Sequence, residues 1–330
     1  IPGVILRSVL FLYIVWTIVQ WGFIRPAGFI GSDYHKHWLA ARCLFEGTNN
    51  YVGKWLELGF NYPQATAFIF GWLGFFSEAV GEKLWEWMHI GFLIGCWLIA
   101  WKAFAPSPRA LRLVDNDDSG QRMRSACAHH WGLLTAFALA IFTPATHCIW
   151  VGNIDPYNAI LAMGLVAALL SGRDRLAGVL WALLILCKML PLALIVLLIA
   201  WRRWRVFKAT LVVMVVYFVV LLVTGRLSYE WYFVRETIPN ITFYWRDMSV
   251  CMSRAGIFLL GRPEWHENEA AFNMVVRLTT VTLLTIYIFM IVWLRRRRGT
   301  GFVRTFELAM LFYPLMAPLL EPHHFVFLMP

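Results

Sequence analysis

The sequence predicts an all-α fold: a polytopic bundle of transmembrane helices, with loops and one short surface helix gathered on its outer face. Two observations carry that expectation. The chain is 60% hydrophobic and 15% charged, with a mean hydropathy of +0.63, and several apolar runs approach the roughly 20 residues that a spanning helix needs. Its formal charge of +10 is concentrated between those runs, notably in the clusters at 201–205 and 295–298, the pattern by which cytoplasmic lysine and arginine orient spans.

The basic balance therefore points to a lipid bilayer as partner and not to nucleic acid. No Walker loop, GxSxG, HExxH or GxGxxG before a helix occurs, which removes the usual soluble-enzyme chemistries. Six cysteines show no metal-type spacing, and Cys96, Cys127, Cys148 and Cys187 lie in or beside apolar runs, where a thiol packs as a small hydrophobe. The chain opens without a methionine and stops soon after a polar pair, so 1–330 reads as one domain cut from a longer protein.

Taken in order, residues 4–24 make a first span, too long and aromatic-rich for a signal region. It leads into a polar loop, 25–61, that holds an acid, two histidines and two cations within a dozen residues: Asp33, His35, Lys36, His37 and Arg42. Within it, Tyr34, Trp38, Leu39, Ala41, Leu44 and Phe45 recur at helical spacing with Lys36, Arg42 and Glu46 off that face, which predicts a short helix on the membrane surface. A second span is expected to start at Tyr62 and Pro63, to turn at Gly81, Glu82 and Lys83, and to return as a third over 84–104. The segment 106–125 then reads as a solvated connector on the side of the first loop.

Two short apolar segments, 129–142 and 156–170, meet at a junction that includes Gly152, Asn153 and Asp155. They are barely long enough to cross, so the junction lies either at the cytoplasmic surface or inside the membrane as a re-entrant turn. Residues 176–200 are expected to cross once, kinked at Pro191, with Lys188 near mid-bilayer. An ionisable group there is a functional candidate, set against a lysine that snorkels along a broken helix. Spans at 206–224, 272–294 and 302–320 complete the chain, with a long outer loop at 225–271.

Candidate site residues come from the outer loops. Asp33 follows the first span closely, and a partly desolvated carboxylate suits a general base; the competing reading is a helix cap by Ser32 or Asp33, and the two are not exclusive. His35 is grouped with the substrate-facing residues. His35 and His37 fall two apart, on different sides of a helix, while His323 and His324 are adjacent, so no metal and no cofactor is expected. Arg246, Asp247, Ser249 and Arg254 lie beside Phe243, Tyr244 and Trp245. Guanidinium groups bind phosphate bidentately and aromatic faces stack on sugars, although interfacial arginines and tryptophans alone give the same composition.

These stretches together resemble the integral-membrane GT-C glycosyltransferases, in particular family 87, the polyprenyl-phosphate-mannose-dependent α-mannosyltransferases. The resemblance extends over nearly all of the chain. It rests on Asp33 and Tyr34 with Ala40, Ala41 and Arg42; on Glu46, Gly47 and Tyr51; on Tyr62 and Pro63; on Gly152, Asn153 and Asp155; on Lys188, Pro191 and Arg202 to Arg205; on Asp247, Ser249 and Arg254; and on Pro322, His323 and His324. It implies a GT-C-type bundle with Asp33 as catalytic base and one of His323 or His324 assisting. Donor or substrate contacts are expected at His35, Lys188, Arg246, Asp247, Ser249 and Arg254. The usual Gln and Asn of the glycine motif read as Asn153 and Asp155, and the usual Asn before the loop serine reads as Asp247.

On this reading the partners are a polyprenyl-phosphate-linked sugar donor and a lipid or glycan acceptor, and the reaction inverts the anomeric centre on the non-cytoplasmic face of a bacterial plasma membrane. One catalytic carboxylate suffices, because the lipid phosphate is already a good leaving group. A transporter or lipid flippase is the alternative; it would carry charges at several mid-span positions and a two-fold repeat of spans. A non-catalytic assembly subunit would need neither Asp33 nor the terminal histidines.

Overall fold

The computed structural model describes residues 32–51, 62–103, 152–188, 195–238 and 261–296, parts of 8–20, and a few positions between and beyond them, among these Phe60, Cys148, Ile149, Ile257 and Thr305. Among the described residues every regular element is a helix. The all-α expectation holds. Helices Glu78–Lys102, Trp204–Val223 and Glu269–Arg296 are long and apolar enough to cross a membrane, matching three of the expected spans. The span expected at 129–142 and the connector at 106–125 lie outside the described residues, as does the span expected at 302–320 apart from Thr305.

Helix α1, Ser32–Glu46, is the expected short helix. Tyr34, Leu39 and Ala41 pack inward as the spacing predicts, but Lys36, His37 and Cys43 are buried too, while Phe45 is exposed. Lys36 was expected off the buried face; its ion pair with Asp33 instead draws the ammonium inward.

Residues 62–77 do not cross. They fold into α2, Gln64–Ile69, and a 3-10 helix, Gly71–Phe75, laid against α1, with the Trp38 indole donating to the Phe76 carbonyl at 3.1 Å. A six-residue helix rises only about 9 Å, so the second span is absent. Gly81, expected in a turn, sits inside α3, Glu78–Ala103, where an added Cβ would stand 2.5 Å from the Tyr34 hydroxyl. That hydroxyl donates to the Glu78 carbonyl at 2.7 Å; glycine is what lets α1 approach.

The next two helices form an antiparallel pair, α4, Asp155–Leu170, and α5, Asp174–Cys187. Lys188, just past α5, returns to Asp155 at the start of α4, with 2.6 Å between Nζ and Oδ1. After α6, Ile195–Ala200, the chain is back beside the start of α5, where Arg203 lies 3.6 Å from Asp174. Residues 176–200 therefore enter and leave at the same end, and do not cross once. A 14-residue helix reaches about 21 Å, short of a hydrocarbon core of about 30 Å.

Helix α7, Trp204–Val223, runs beside α5, with Thr210 Oγ1 donating to the Gly178 carbonyl at 3.0 Å. It leads through Gly225 to α8, Leu227–Tyr232. Arg226 at that junction donates to the carbonyls of Cys43 at 2.9 Å and Leu44 at 3.3 Å, satisfying acceptors that the last turn of α1 leaves free. Glu230 accepts the Gln64 amide at 2.8 Å, at the start of α2. Arg226, at the start of the expected outer loop 225–271, is thus a clamp on the helix that carries Asp33.

Helix α9, Glu269–Arg296, ends where Arg295 donates to the Ala200 carbonyl at 3.1 Å and lies over the Trp201 ring. The bundle consequently has two distinct ends. One holds α1, α2, the starts of α3 and α4 and the ends of α5 and α7; the other gathers Arg202, Arg203, Arg205, Arg295 and Arg296. Helix α3 starts at the first end and runs parallel to α4, so Ala103 leaves the bundle at the arginine end, opposite to the side expected for the segment that follows.

Candidate active site

Asp33 lies in the first turn of α1, and its side chain retains 14% exposure. Lys36, one turn on and almost fully buried, places Nζ 2.8 Å from Oδ1. The other oxygen, Oδ2, accepts from Asn153 Nδ2 at 2.8 Å. Two donors on two elements fix the plane of the carboxylate. The carboxylate is held in place and still part-exposed.

Asn153 is delivered by local backbone chemistry. Gly152 adopts φ +73, a left-handed conformation that glycine takes without a Cβ penalty, and the Asn153 amide closes on the Cys148 carbonyl at 3.0 Å, as in a helix ended by glycine. The Trp85 indole donates to the Gly152 carbonyl at 2.9 Å, and His89 Nε2 lies 2.5 Å from the Asn153 carbonyl. Both come from α3. The junction at 152–155 therefore sits at the end that carries Asp33, and of the two placements open in the sequence the cytoplasmic one is excluded for any chain whose Asp33 faces outward.

A second carboxylate follows at once. Asp155 is fully buried, paired through Oδ1 with Lys188 and, at 3.3 Å, with Asn158 Nδ2. Exposure separates the two acids: Asp33 keeps 14%, whereas Asp155 is enclosed. Lys188, expected near mid-bilayer in a single span, instead terminates α5 inside this cluster.

The two histidines of α1 diverge. His35 is part-exposed and contacts Glu78 Oε1. His37 is buried between Tyr62, at 4.5 Å between ring centroids, and Trp85, stacked at 5.1 Å; neither ring nitrogen has a hydrogen-bond partner. Burial pushes its imidazole down to about 3, outweighing the nearby Asp33 charge. It is neutral at physiological pH. Burial, with Glu78 adding to it, also raises the Tyr34 phenol, and burial raises the Glu230 carboxyl. Cys43, Cys96, Cys148 and Cys187 are buried, as small hydrophobes are; Cys127 lies outside the described residues.

Among the described residues no group of three or more His, Cys, Asp or Glu side chains forms a metal-type cluster. Arg246, Asp247, Ser249, Arg254, His323 and His324 lie outside the described residues.

The model of glycosyltransferase family 87 matches residues 60–318, more than three quarters of the chain. The chain belongs to glycosyltransferase family 87. No curated protein and no solved structure matches it. As a family 87 member it is a glycosyltransferase, which moves a sugar from a donor to an acceptor. The match begins after α1, so in this family 87 chain Asp33 and Lys36 precede the matched region, whereas Tyr62, Asn153, Asp155 and Lys188 lie within it. The contacts of Asn153 and Tyr62 join the two. Sequence reasoning did not single out Lys36, Tyr62 or Asn153 as site residues; the i,i+3 spacing of Asp33 and Lys36 on a helix was the one local signal available.

Proposed function

We propose that this family 87 enzyme transfers a hexose, mannose by its resemblance, from a polyprenyl-phosphate donor to the hydroxyl of a lipid-linked or glycan acceptor, with inversion, at the outer face of a bacterial plasma membrane. The observation that supports this best is the partly exposed Asp33 carboxylate, oriented by Lys36 and Asn153 at the end of the bundle opposite the arginines. Asp33 is the general base. As the acceptor oxygen attacks the anomeric carbon, its proton passes to Asp33, and the bond from that carbon to the phosphate oxygen breaks with both electrons leaving on the phosphate. No second carboxylate is required, in contrast to most glycoside hydrolases.

Cations stabilise the departing phosphate. Arg246 and Arg254 are assigned that role, with Asp247 and Ser249 between them and Lys188 supplying charge from within the bundle. One of His323 or His324 assists at the reacting centre, and His35 borders the acceptor side. The orientation follows the basic clusters, which belong in the cytoplasm.

The test is direct. Purified protein is incubated with β-linked polyprenyl-phosphate mannose and a membrane lipid extract as acceptor, and the anomeric configuration of the product is read by NMR. Transfer giving an α-linked product is expected; activity with a nucleotide sugar alone, or a β-linked product, overturns the donor or the mechanism. Orientation is tested in a cysteine-free variant carrying Thr48→Cys or Ser171→Cys, treated in intact cells with a membrane-impermeant maleimide. Labelling at 48 but not at 171 is expected, and the reverse sinks the topology.

A further inference from the structure

We propose that Asn153 is the positioning residue for the catalytic base, and that its side-chain amide works as a two-ended strut between the start of α4 and Asp33. This rests on the reading of Asp33 as base. One end is Oδ1, which accepts from the Asp155 backbone amide at 3.1 Å, an Asx-type turn that satisfies a donor at the head of α4. The other end is Nδ2, which donates to Asp33 Oδ2 at 2.8 Å and lies 3.0 Å from the Tyr62 hydroxyl. The amide cannot be turned over. Flipped, it would set its oxygen against a carboxylate and its NH2 against a backbone N–H, so the network itself assigns the orientation.

Asn153 is also held by its backbone, which donates to the Cys148 carbonyl and meets His89 through its own carbonyl. It is 3% exposed. A donor fixed this firmly transmits the position of α4 to a carboxylate on a helix 120 residues away in sequence. Reaction rates respond to displacements of about 1 Å by roughly 10²-fold. The bland alternative is that Asn153 only caps α4, its contact with Asp33 being incidental.

Asn153→Asp separates the two. Aspartate keeps Oδ1 and hence the turn at Asp155, but exchanges the donor facing Asp33 for a second carboxylate. Two carboxylates in contact do not both ionise readily, and the pair takes up a proton at higher pH. The groups around the pair are Lys36 and His37 on α1, Tyr62 ahead of α2, His89 on α3, Cys148 ahead of Gly152, Asp155 on α4 and Lys188 after α5; none of them is altered.

The experiment combines thermal midpoints in detergent from pH 4.5 to 8.5 with transfer from β-linked polyprenyl-phosphate mannose. At pH 8, Asn153→Asp should melt about 2–4 °C below the parent, and most of that loss should vanish at pH 4.5. The reversed pair, Asp33→Asn with Asn153→Asp, restores one donor facing one acceptor and should recover the midpoint at pH 8 without recovering transfer. In the single variant kcat should fall about 10-fold or more at pH 7, with the acid limb of the profile moved up by about one pH unit and the donor KM within about 2-fold.

A midpoint that follows the parent at every pH, with an unmoved acid limb, overturns the proposal and leaves the base reading intact. If Asp33→Asn alone transfers at the parental rate, the base reading falls, while the midpoint cycle still decides the contact. Should Asn153→Asp fail to accumulate, recovery of folded protein in the reversed pair supports the strut, and loss of both overturns it.

Discussion

The two ends of the bundle treat charge in opposite ways. At the Asp33 end, Lys36 and Asp155 are buried and Asp33 and Lys188 nearly so, and the four form two ion pairs, Asp33 with Lys36 and Asp155 with Lys188. At the arginine end, Arg202, Arg205, Arg295 and Arg296 are exposed, and the partners of the cluster include the Ala200 carbonyl, the Trp201 ring and Asp174 at 3.6 Å. Removing charge from water costs several kcal/mol per ion unless a partner compensates, so pairing at the first end is a condition of burial. The second end carries an excess of exposed positive charge, where orientation depends on number and not on geometry.

This contrast is broken most sharply by Asp33→Asn. Asparagine keeps the size and capping capacity of aspartate but accepts no proton near neutral pH, so transfer should fall by roughly 10² or more while folding is retained. A well-folded Asp33→Asn protein that works at the parental rate would reduce Asp33 to a cap.

Asp155→Leu comes next. It leaves Lys188 without its buried counter-charge and should cost about 3 kcal/mol, the low end for breaking a buried pair because Lys188 keeps some exposure. Lys188→Met in the same chain should return part of that stability. Denaturant or thermal midpoints measure both, and a fully neutral single variant would show that the pair is open to water.

His37 sharpens the comparison through pH. Its imidazole is held down to about 3, from an ordinary value near 6.5, by burial. Between those values the unfolded chain binds a proton that the folded chain refuses, so stability present above pH 6.5 is lost as pH falls through that window. His37→Phe, which fits the aromatic surroundings, should remove the slope, and the variant should gain on the parent by up to about 1.4 kcal/mol per pH unit. Parallel stability curves from pH 7 to 4 would place the ring in water.

The smallest effect belongs to the arginine end. Arg205→Gln, at an exposed position, should move stability by no more than about 0.5 kcal/mol. A loss as large as that of Asp155→Leu would mean that this end is buried against something.

Much of this was legible in order along the chain. Apolar length marked spans at 84–104, 206–224 and 272–294, within a few residues of the helices Glu78–Ala103, Trp204–Val223 and Glu269–Arg296, and helical spacing marked α1. The charge clusters marked one end, because each of these properties is local and repeats at the period of the helix. Asp33 stood out as an acid between a span and an amphipathic helix. The burial of Lys36 did not, since an i,i+3 partner can meet an acid equally well in solvent.

The short apolar segments were the ambiguous ones. Residues 62–77 and 176–200 carry enough apolar residues to cross, yet the first lies folded against α1 and the second turns back at Lys188. Composition sets how apolar a segment is, not whether its surface is covered by lipid or by protein, and a run of 10–14 residues satisfies either. What the sequence by itself determined was therefore local: an all-helical membrane chain, its long apolar helices, its basic clusters and an acid at the start of an amphipathic helix. Only the tertiary structure decided that Asn153 meets Asp33, that Lys188 closes on Asp155 and that Arg226 caps α1. Those contacts join residues 33 to 183 positions apart, and no local period encodes a pairing that depends on how separate helices pack.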